Sequence, residues 1–260
     1  MDSLIILYLF AVLIIAGVFL LIFMWLTARM NRVINTDINF KDFPEDFGKL
    51  SIFFISDIHK RKVSDSIISQ ALGKADLVVI GGDLTESGVP FDQVEENIAK
   101  LKSIGPAYFV WGNNDYETDY HLLDATLLKH GVKILDNTAV MFESAEGEVI
   151  SILGVDYLKA KKARLDLALA DAEADSFKIL ISHHPAIIKD INASSGIRLV
   201  LAGHTHGGQI RVFGRGPYEL GGLKEERGIK ILTSNGYGTS LLPLRLGAKP
   251  ETHLIHLMKE

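Results

Sequence analysis

The chain has 260 residues, a formal net charge of −5 and no cysteine. That length suits a soluble domain with one core. The missing cysteines exclude disulfides, thiolate metal sites and cysteine nucleophiles. A mildly acidic balance lacks the basic face that non-specific nucleic-acid binding needs, so no nucleic-acid partner is expected.

Leu4 to Leu26 contains no charged residue and is almost wholly aliphatic or aromatic. As a helix it would be roughly 34 Å long, enough to cross a hydrocarbon core of about 30 Å. A cleavable signal peptide would want a basic n-region and a shorter apolar run, whereas only Asp2 precedes this one. Residues 1–28 are therefore read as a permanent, single-pass membrane anchor. Arg29 and Arg32 follow the run, which favours a cytoplasmic domain. Residues 29–49 read as a juxtamembrane connector whose Phe40, Phe43 and Phe47 lie at the interface or pack on the domain. Residues 50–260 form that domain.

From Leu50 strands and helices alternate. Leu50–Ile55, Leu77–Ile80 and Ala107–Trp111 read as short buried strands, with helices over Val63–Leu72, Phe91–Leu101 and Asp119–His130. The second half is richer in strands: Val132–Ile134, Ala139–Phe142, Val149–Leu153, Phe177–Ile181, Leu199–Ala202, Gln209–Phe213, Ile229–Leu232 and Thr252–Leu257. A charged helix is expected over Asp156–Ala174. In alternating sheets of this kind ligands gather beyond the carboxyl ends of the strands.

Five strand ends carry chemistry: D-x-H (Asp57, His59), G-D (Asp83), G-N (Asn113), a histidine (His183) and H-x-H (His204, His206). If Thr205 is extended, His204 and His206 point the same way. Each signal is weak alone, but the ordered set is not. With these motifs the chain resembles the calcineurin-like metallophosphoesterases over about Leu50 to Leu257. The resemblance implies an α/β fold, a four-layer α/β/β/α sandwich of two mixed sheets, here preceded by the N-terminal transmembrane helix. It also implies two metals. Asp57, His59, Asp83 and His206 would hold one, and Asp83, Asn113, His183 and His204 the other. Mixed imidazole and oxygen ligands suit manganese, iron or zinc, manganese being favoured. Such a pair clamps a phosphoryl group and supplies hydroxide at neutral pH.

The family pattern at the third strand is usually G-N-H-D or G-N-H-E, whose histidine protonates the leaving oxygen. Here Asn114 takes that place, followed by Asp115, and these two are the candidate catalytic residues. Asp115, Tyr116 and His184 are the nearby alternative acids, although His184 would point away from the metals on an extended backbone. Lys60, in a basic run that could equally be a solvated loop, and Arg211 and Arg215 are candidate phosphate contacts. Trp111 reads as core, and His121, His130, His253 and His256 as structural. Leu241–Leu244 is either core or a rim touching lipid.

The favoured reading is a membrane-anchored hydrolase of phosphodiester or pyrophosphate bonds. Similar proteins include UDP-2,3-diacylglucosamine hydrolase-like phosphoesterases, which makes a lipid-linked nucleotide the sharpest substrate expectation. The alternatives are a phosphomonoesterase or protein phosphatase, and a catalytically degenerate metal-binding membrane protein.

Overall fold

The computed structural model describes residues 2–158 and 162–260. Helix α1 (Asp2–Ala28) is uncharged from Ser3 onward, and its Ser3–Ala28 stretch is long and apolar enough to cross a membrane. Two six-stranded mixed sheets follow. The first contains β1 (Val33–Phe40), β2 (Lys49–Ile55), β3 (Leu77–Ile80), β4 (Ala107–Phe109), β5 (Lys133–Ile134) and β12 (Thr252–Lys259), in the order β1-β12-β2-β3-β4-β5. The second contains β6 (Thr138–Glu143), β7 (Val149–Gly154), β8 (Phe177–Ile181), β9 (Ile197–Ala202), β10 (Gly222–Glu226) and β11 (Ile229–Thr233), in the order β10-β11-β9-β8-β7-β6. β2 to β5 run parallel, as do β7, β8, β9 and β11.

Three apolar layers bind the four structural layers together. Ile52, Phe54, Val79, Ile152, Ile179 and Leu201 interdigitate between the sheets. Helices α2 (Asp65–Ala71), α3 (Phe91–Lys102) and α4 (Tyr120–Lys129) cover the first sheet through Ile67, Ile98 and Leu127. The second sheet is covered more thinly, by α5 (Leu165–Ala170) and a 3-10 turn at Pro185–Asp190 that contributes Ile187 and Ile188. Parallel strands buried on both faces need such unbroken apolar runs.

Several elements differ from the sequence reading. Much of the stretch read as a connector, 29–49, is built into the sheet. β1 pairs in parallel with β12 over eight residues, Val33 opposite Thr252 through Phe40 opposite Lys259. Its alternation was legible: Ile38 and Phe40 are buried while Asn35, Asp37 and Asn39 face solvent. Phe40 and Phe43 both meet Phe177 edge-on, at 5.0 and 5.2 Å. The helix expected over Asp156–Ala174 is confined to α5, and residues 159–161 of that expectation lie outside the described residues. Gln209–Phe213 forms isolated bridges at Ile210 and Val212 and no strand. β10 was not anticipated, because its residues are mostly charged or exposed. A two-residue turn, Arg227–Gly228, fixes it to β11, and both residues have positive φ (56° and 76°), as a type I′ hairpin requires.

A chain starting at Leu21 will therefore keep its fold, whereas one starting at Lys41 will expose the edge of β12 and lose two core side chains. Burial of Ile38 and Phe40 alone is worth about 3–6 kcal/mol, at roughly 1.5–3 kcal/mol each. Thermal unfolding of the two truncations measures this difference. Equal midpoints would show that β1 is dispensable.

Candidate metal centre

Each candidate ligand sits just past a strand, where the chain turns sharply. Asp57, His59, Asp83, His204 and His206 all have left-handed backbone, with φ of 56°, 52°, 50°, 70° and 50°. Aspartate and histidine tolerate that region better than most residues, yet each such residue stores about 1 kcal/mol or more. The neighbouring turns lace together to hold it. Asp57 N–H donates to Gly82 O (3.0 Å), Ile58 N–H to Asp83 O (2.8 Å) and Gly203 N–H to His183 O (3.0 Å). His204 N–H donates to Asp57 Oδ1 at 3.0 Å. Gly112 has no alternative residue: a Cβ there would lie 2.2 Å from Asp83 Oδ1.

The turns gather two sets of donor atoms, each within 4.8 Å of one another: Asp57, His59 and His206 in one, Asp83, His183 and His204 in the other. His204 and His206 therefore serve different groups. The expectation that they point the same way fails because Thr205 is helical (φ −81°, ψ −16°) between two left-handed residues. Imidazole nitrogens face each other in both groups, His59 Nε2 to His206 Nε2 at 3.1 Å and His183 Nε2 to His204 Nδ1 at 3.2 Å. Asp83 Oδ2 joins the two groups, 3.7 Å from His59 Nε2 and 3.2 Å from His183 Nε2. Asn113 Oδ1 is buried with no hydrogen-bond partner among the described residues, beside Asp83 and His204 in the same cleft. Paired imidazoles, buried carboxylates and an orphaned amide oxygen make a donor set that fits two cations.

The electrostatics agree with that fit. Burial, His59 and Arg245 push His206 well below the ordinary histidine range, leaving it neutral and able to ligate. Burial opposes ionisation of Asp83, but His183, His59 and the Asn114 N–H together hold the carboxylate well below its usual range. Burial pushes His183 down, but Asp83, Asp57 and Gly81 O together raise it to about 10. Positive charge is drawn to this point of the structure.

Three residues that support the cluster escaped the sequence reading. Glu86 Oε2 lies 2.8 Å from His59 Nδ1, an ion-pair contact on that ring's other nitrogen. Arg245 is fully buried with no carboxylate partner among the described residues, so its guanidinium is satisfied by the carbonyls of His206, Asn235, Gly236, Gly238 and Ala248. Its Nη2 lies 3.1 Å from His206 Nδ1. A lone arginine in the apolar run Leu241–Leu246 was the available signal, since a charge there must find partners. Tyr218 lines the cleft, its ring 6.4 Å from that of His204.

Other expected site residues have different places. Asn114 does line the cleft, a cavity of about 310 Å³, and its N–H donates to Asp83 Oδ1 at 2.8 Å. Asp115 faces away from it. Its buried carboxylate accepts N–H bonds from Asp83 (2.8 Å), Gly112 (2.9 Å) and Thr85 (3.1 Å), bracing two turns. Burial and the nearby Asp83 push it up to about 7. Tyr116 donates its hydroxyl to Asp156 at 2.6 Å in a separate cavity, stacked on the buried Trp111. His184 does not point away but packs against His204, ring centroids 4.4 Å apart. Arg211 donates from its Nη atoms to Gly207 O, Gly214 O and Tyr218 O, while its buried Nε has no hydrogen-bond partner among the described residues. Arg215 is exposed on that same turn, and Lys60 pairs with Glu86 at 2.8 Å.

Comparison with known proteins agrees with this geometry. Residues 50–208 match the model of the calcineurin-like phosphoesterase family. Bacillus subtilis (strain 168) YpbG is 48% identical over 210 residues, covering 80% of this chain and 81% of that protein. Escherichia coli (strain K12) phosphodiesterase YaeI is 29% identical, covering 83% of this chain and 85% of its own. A zebrafish (Danio rerio) transmembrane protein with metallophosphoesterase domain is 29% identical over 86% of this chain, which spans 56% of that longer protein. Among solved structures, the Thermus thermophilus sulfate thiohydrolase SoxB superposes with a TM-score of 0.54 at 15% identity, over 84% of this chain and 58% of that one. A likeness at that identity concerns the fold alone. On the matched model and the relatives together, the chain belongs to the calcineurin-like phosphoesterase family.

Proposed function

We propose that the protein hydrolyses phosphodiester or pyrophosphate bonds at two divalent metal ions, manganese being favoured over iron and zinc. Asp57, His59, Asp83 and His206 would hold one ion, and Asp83, Asn113, His183 and His204 the other. The observation that carries this reading is the meeting of two donor groups at Asp83 Oδ2. When bound, such a pair supplies a Lewis-acid clamp for phosphoryl oxygens and a water acidic enough to react at neutral pH. The chain's own residues do the positioning. Glu86 orients His59, Arg245 braces the turn carrying His206, and Asp115 ties the Asp83 backbone to Gly112.

Within that reaction class, the finer reading is a lipid-linked nucleotide substrate resembling UDP-diacylglucosamine. Its support is the apolar α1, which we read as an anchor holding the domain at the cytoplasmic face, and an amide at Asn114 where the family usually has an acid. The name of YaeI, a phosphodiesterase, supports the bond type. Chelation followed by dialysis will abolish cleavage of bis(4-nitrophenyl) phosphate, and Mn²⁺ will restore it as two ions bind per chain. Unchanged cleavage in chelator, with no metal uptake, would overturn the reading.

A further inference from the structure

Helix α1 does not dangle from the domain. Its first turns are exposed, but Met24, Thr27 and Ala28 are buried. Arg245 N–H donates to Met24 O at 3.1 Å. Just beyond the helix, Arg61 Nη2 donates to Arg29 O (2.7 Å), Met30 O (2.9 Å) and Asn31 Oδ1 (2.8 Å), while its Nη1 donates to Tyr237 O (2.6 Å). The Tyr237 hydroxyl donates to Asn31 Oδ1 at 2.9 Å. Those clamping residues also touch the candidate metal centre. Arg61 follows His59 by two positions, and the Arg245 guanidinium contacts His206. Gly236, before Tyr237, packs so closely that a Cβ there would lie 2.8 Å from the Asp57 Cβ. The helix and the metal-site turns are thus one rigid unit, without the slack of a flexible linker.

That rigidity sets a depth. Met24 lies within the uncharged run and, at 1.5 Å per residue, about 7.5 Å along the helix from Arg29. The Met24–Arg245 bond therefore holds Arg245 near the headgroup boundary of any bilayer that α1 crosses. Leu241 and Leu242, 98% and 55% exposed, precede it by at most four residues, a reach of about 14 Å. Leu241 also lines the metal cleft. A second tip, Val212–Phe213, has its phenyl ring fully exposed and is tied to the same segment by Arg211 N–H to Leu246 O at 2.8 Å. Between helix and domain, Arg29, Lys60 and Lys62 line a hollow of about 290 Å³. Isolated exposed leucines are ordinary, but apolar pairs on two linked loops, beside cations and a membrane-length helix, match an interfacial surface.

We propose that the Val212–Phe213 and Leu241–Leu242 tips enter the interfacial layer of the bilayer that α1 crosses, so that the cleft takes its phosphoester from an amphiphile in that leaflet. The proposal rests on reading α1 as an anchor and the cleft as a hydrolase site.

With no native cysteine, single labels report cleanly. Full-length Phe213→Cys, Leu241→Cys and Leu128→Cys carry an NBD fluorophore in phosphatidylcholine–phosphatidylglycerol vesicles doped with nitroxide-labelled lipid. Leu128, on α4 at the opposite edge of the first sheet, is the solvent reference. Labels at 213 and 241 will be quenched and the one at 128 will not; labels at 213 and 241 that are no more quenched than at 128 overturn the docking. Separately, Phe213→Asp will slow cleavage of hexadecyl 4-nitrophenyl phosphate in those vesicles at least about tenfold, leaving soluble bis(4-nitrophenyl) phosphate unaffected. Equal effects on both probes overturn the substrate assignment. A parent protein that cleaves neither probe while its labels are quenched sinks the hydrolase reading and the substrate assignment, and supports the docking.

Discussion

Asp83→Ala will strip the protein of both metals and reduce phosphodiester cleavage to background. The reason is geometric. One carboxylate serves both donor groups, its Oδ2 3.2 Å from His183 Nε2 and 3.7 Å from His59 Nε2. Without it, two cations would sit closer together than their remaining ligands can neutralise. The loss should exceed the roughly 10²–10³-fold that removing a single stabilising donor costs an enzyme. Asp83 Oδ1 also accepts the Asn114 N–H at 2.8 Å, so the alanine variant loses a structural bond as well. Asp83→Asn separates the two effects, because an amide oxygen can keep that bond while giving up the charge. Metal content by mass spectrometry, with circular dichroism as the fold control, is the measurement. Two metals per chain and near-normal turnover in Asp83→Asn would sink the shared-carboxylate model.

What the sequence revealed about this centre, and what it hid, follows from how local each relationship is. His59 and Asp57 are two residues apart and lie directly after the apolar run of β2, so a reader needs only the strand and the motif. His204 and His206 are equally visible, and their division between two groups, which the family resemblance implies, is set by three consecutive backbone angles that the H-x-H pattern alone does not encode. Glu86 meets His59 across 27 positions and Arg245 meets His206 across 39, through turns whose approach is fixed by the two sheets. Arg211 shows a competition that a motif does not display. Its position just past the histidines suggested a phosphate fork, but the turn it occupies leaves carbonyls needing donors, and the two Nη atoms serve them. The same competition removed Asp115 from the cleft, where three backbone N–H groups claim its oxygens.

The Asn114→His variant will gain activity on alkyl phosphodiesters and change little on pyrophosphates or nitrophenyl esters. An alkoxide leaves badly unless a proton reaches it in the transition state, and general acid catalysis is worth about 10²–10⁴-fold. An amide cannot supply that proton, whereas phosphate and aryl oxide depart as stable anions. The structure narrows the substitutes. Tyr116 is committed to Asp156 at 2.6 Å, and burial followed by that carboxylate raises its hydroxyl further above the ordinary tyrosine range. Asp115 is enclosed by backbone N–H groups, and His184 lies tilted against His204 with its Nδ1 accepting the Ala186 N–H at 3.1 Å. Asn114 itself lines the cleft, with Glu117 Oε2 3.3 Å from its Nδ2, so an imidazole at this position would have a carboxylate to orient it. Rates for a series of esters with graded leaving-group acidity will fall steeply in the parent protein and flatten in Asn114→His. A flat dependence in the parent would show that a proton donor already faces the leaving group. Tyr218, on the cleft wall near His204, is then the residue to replace with phenylalanine, and a steep dependence in that variant would identify it as the donor.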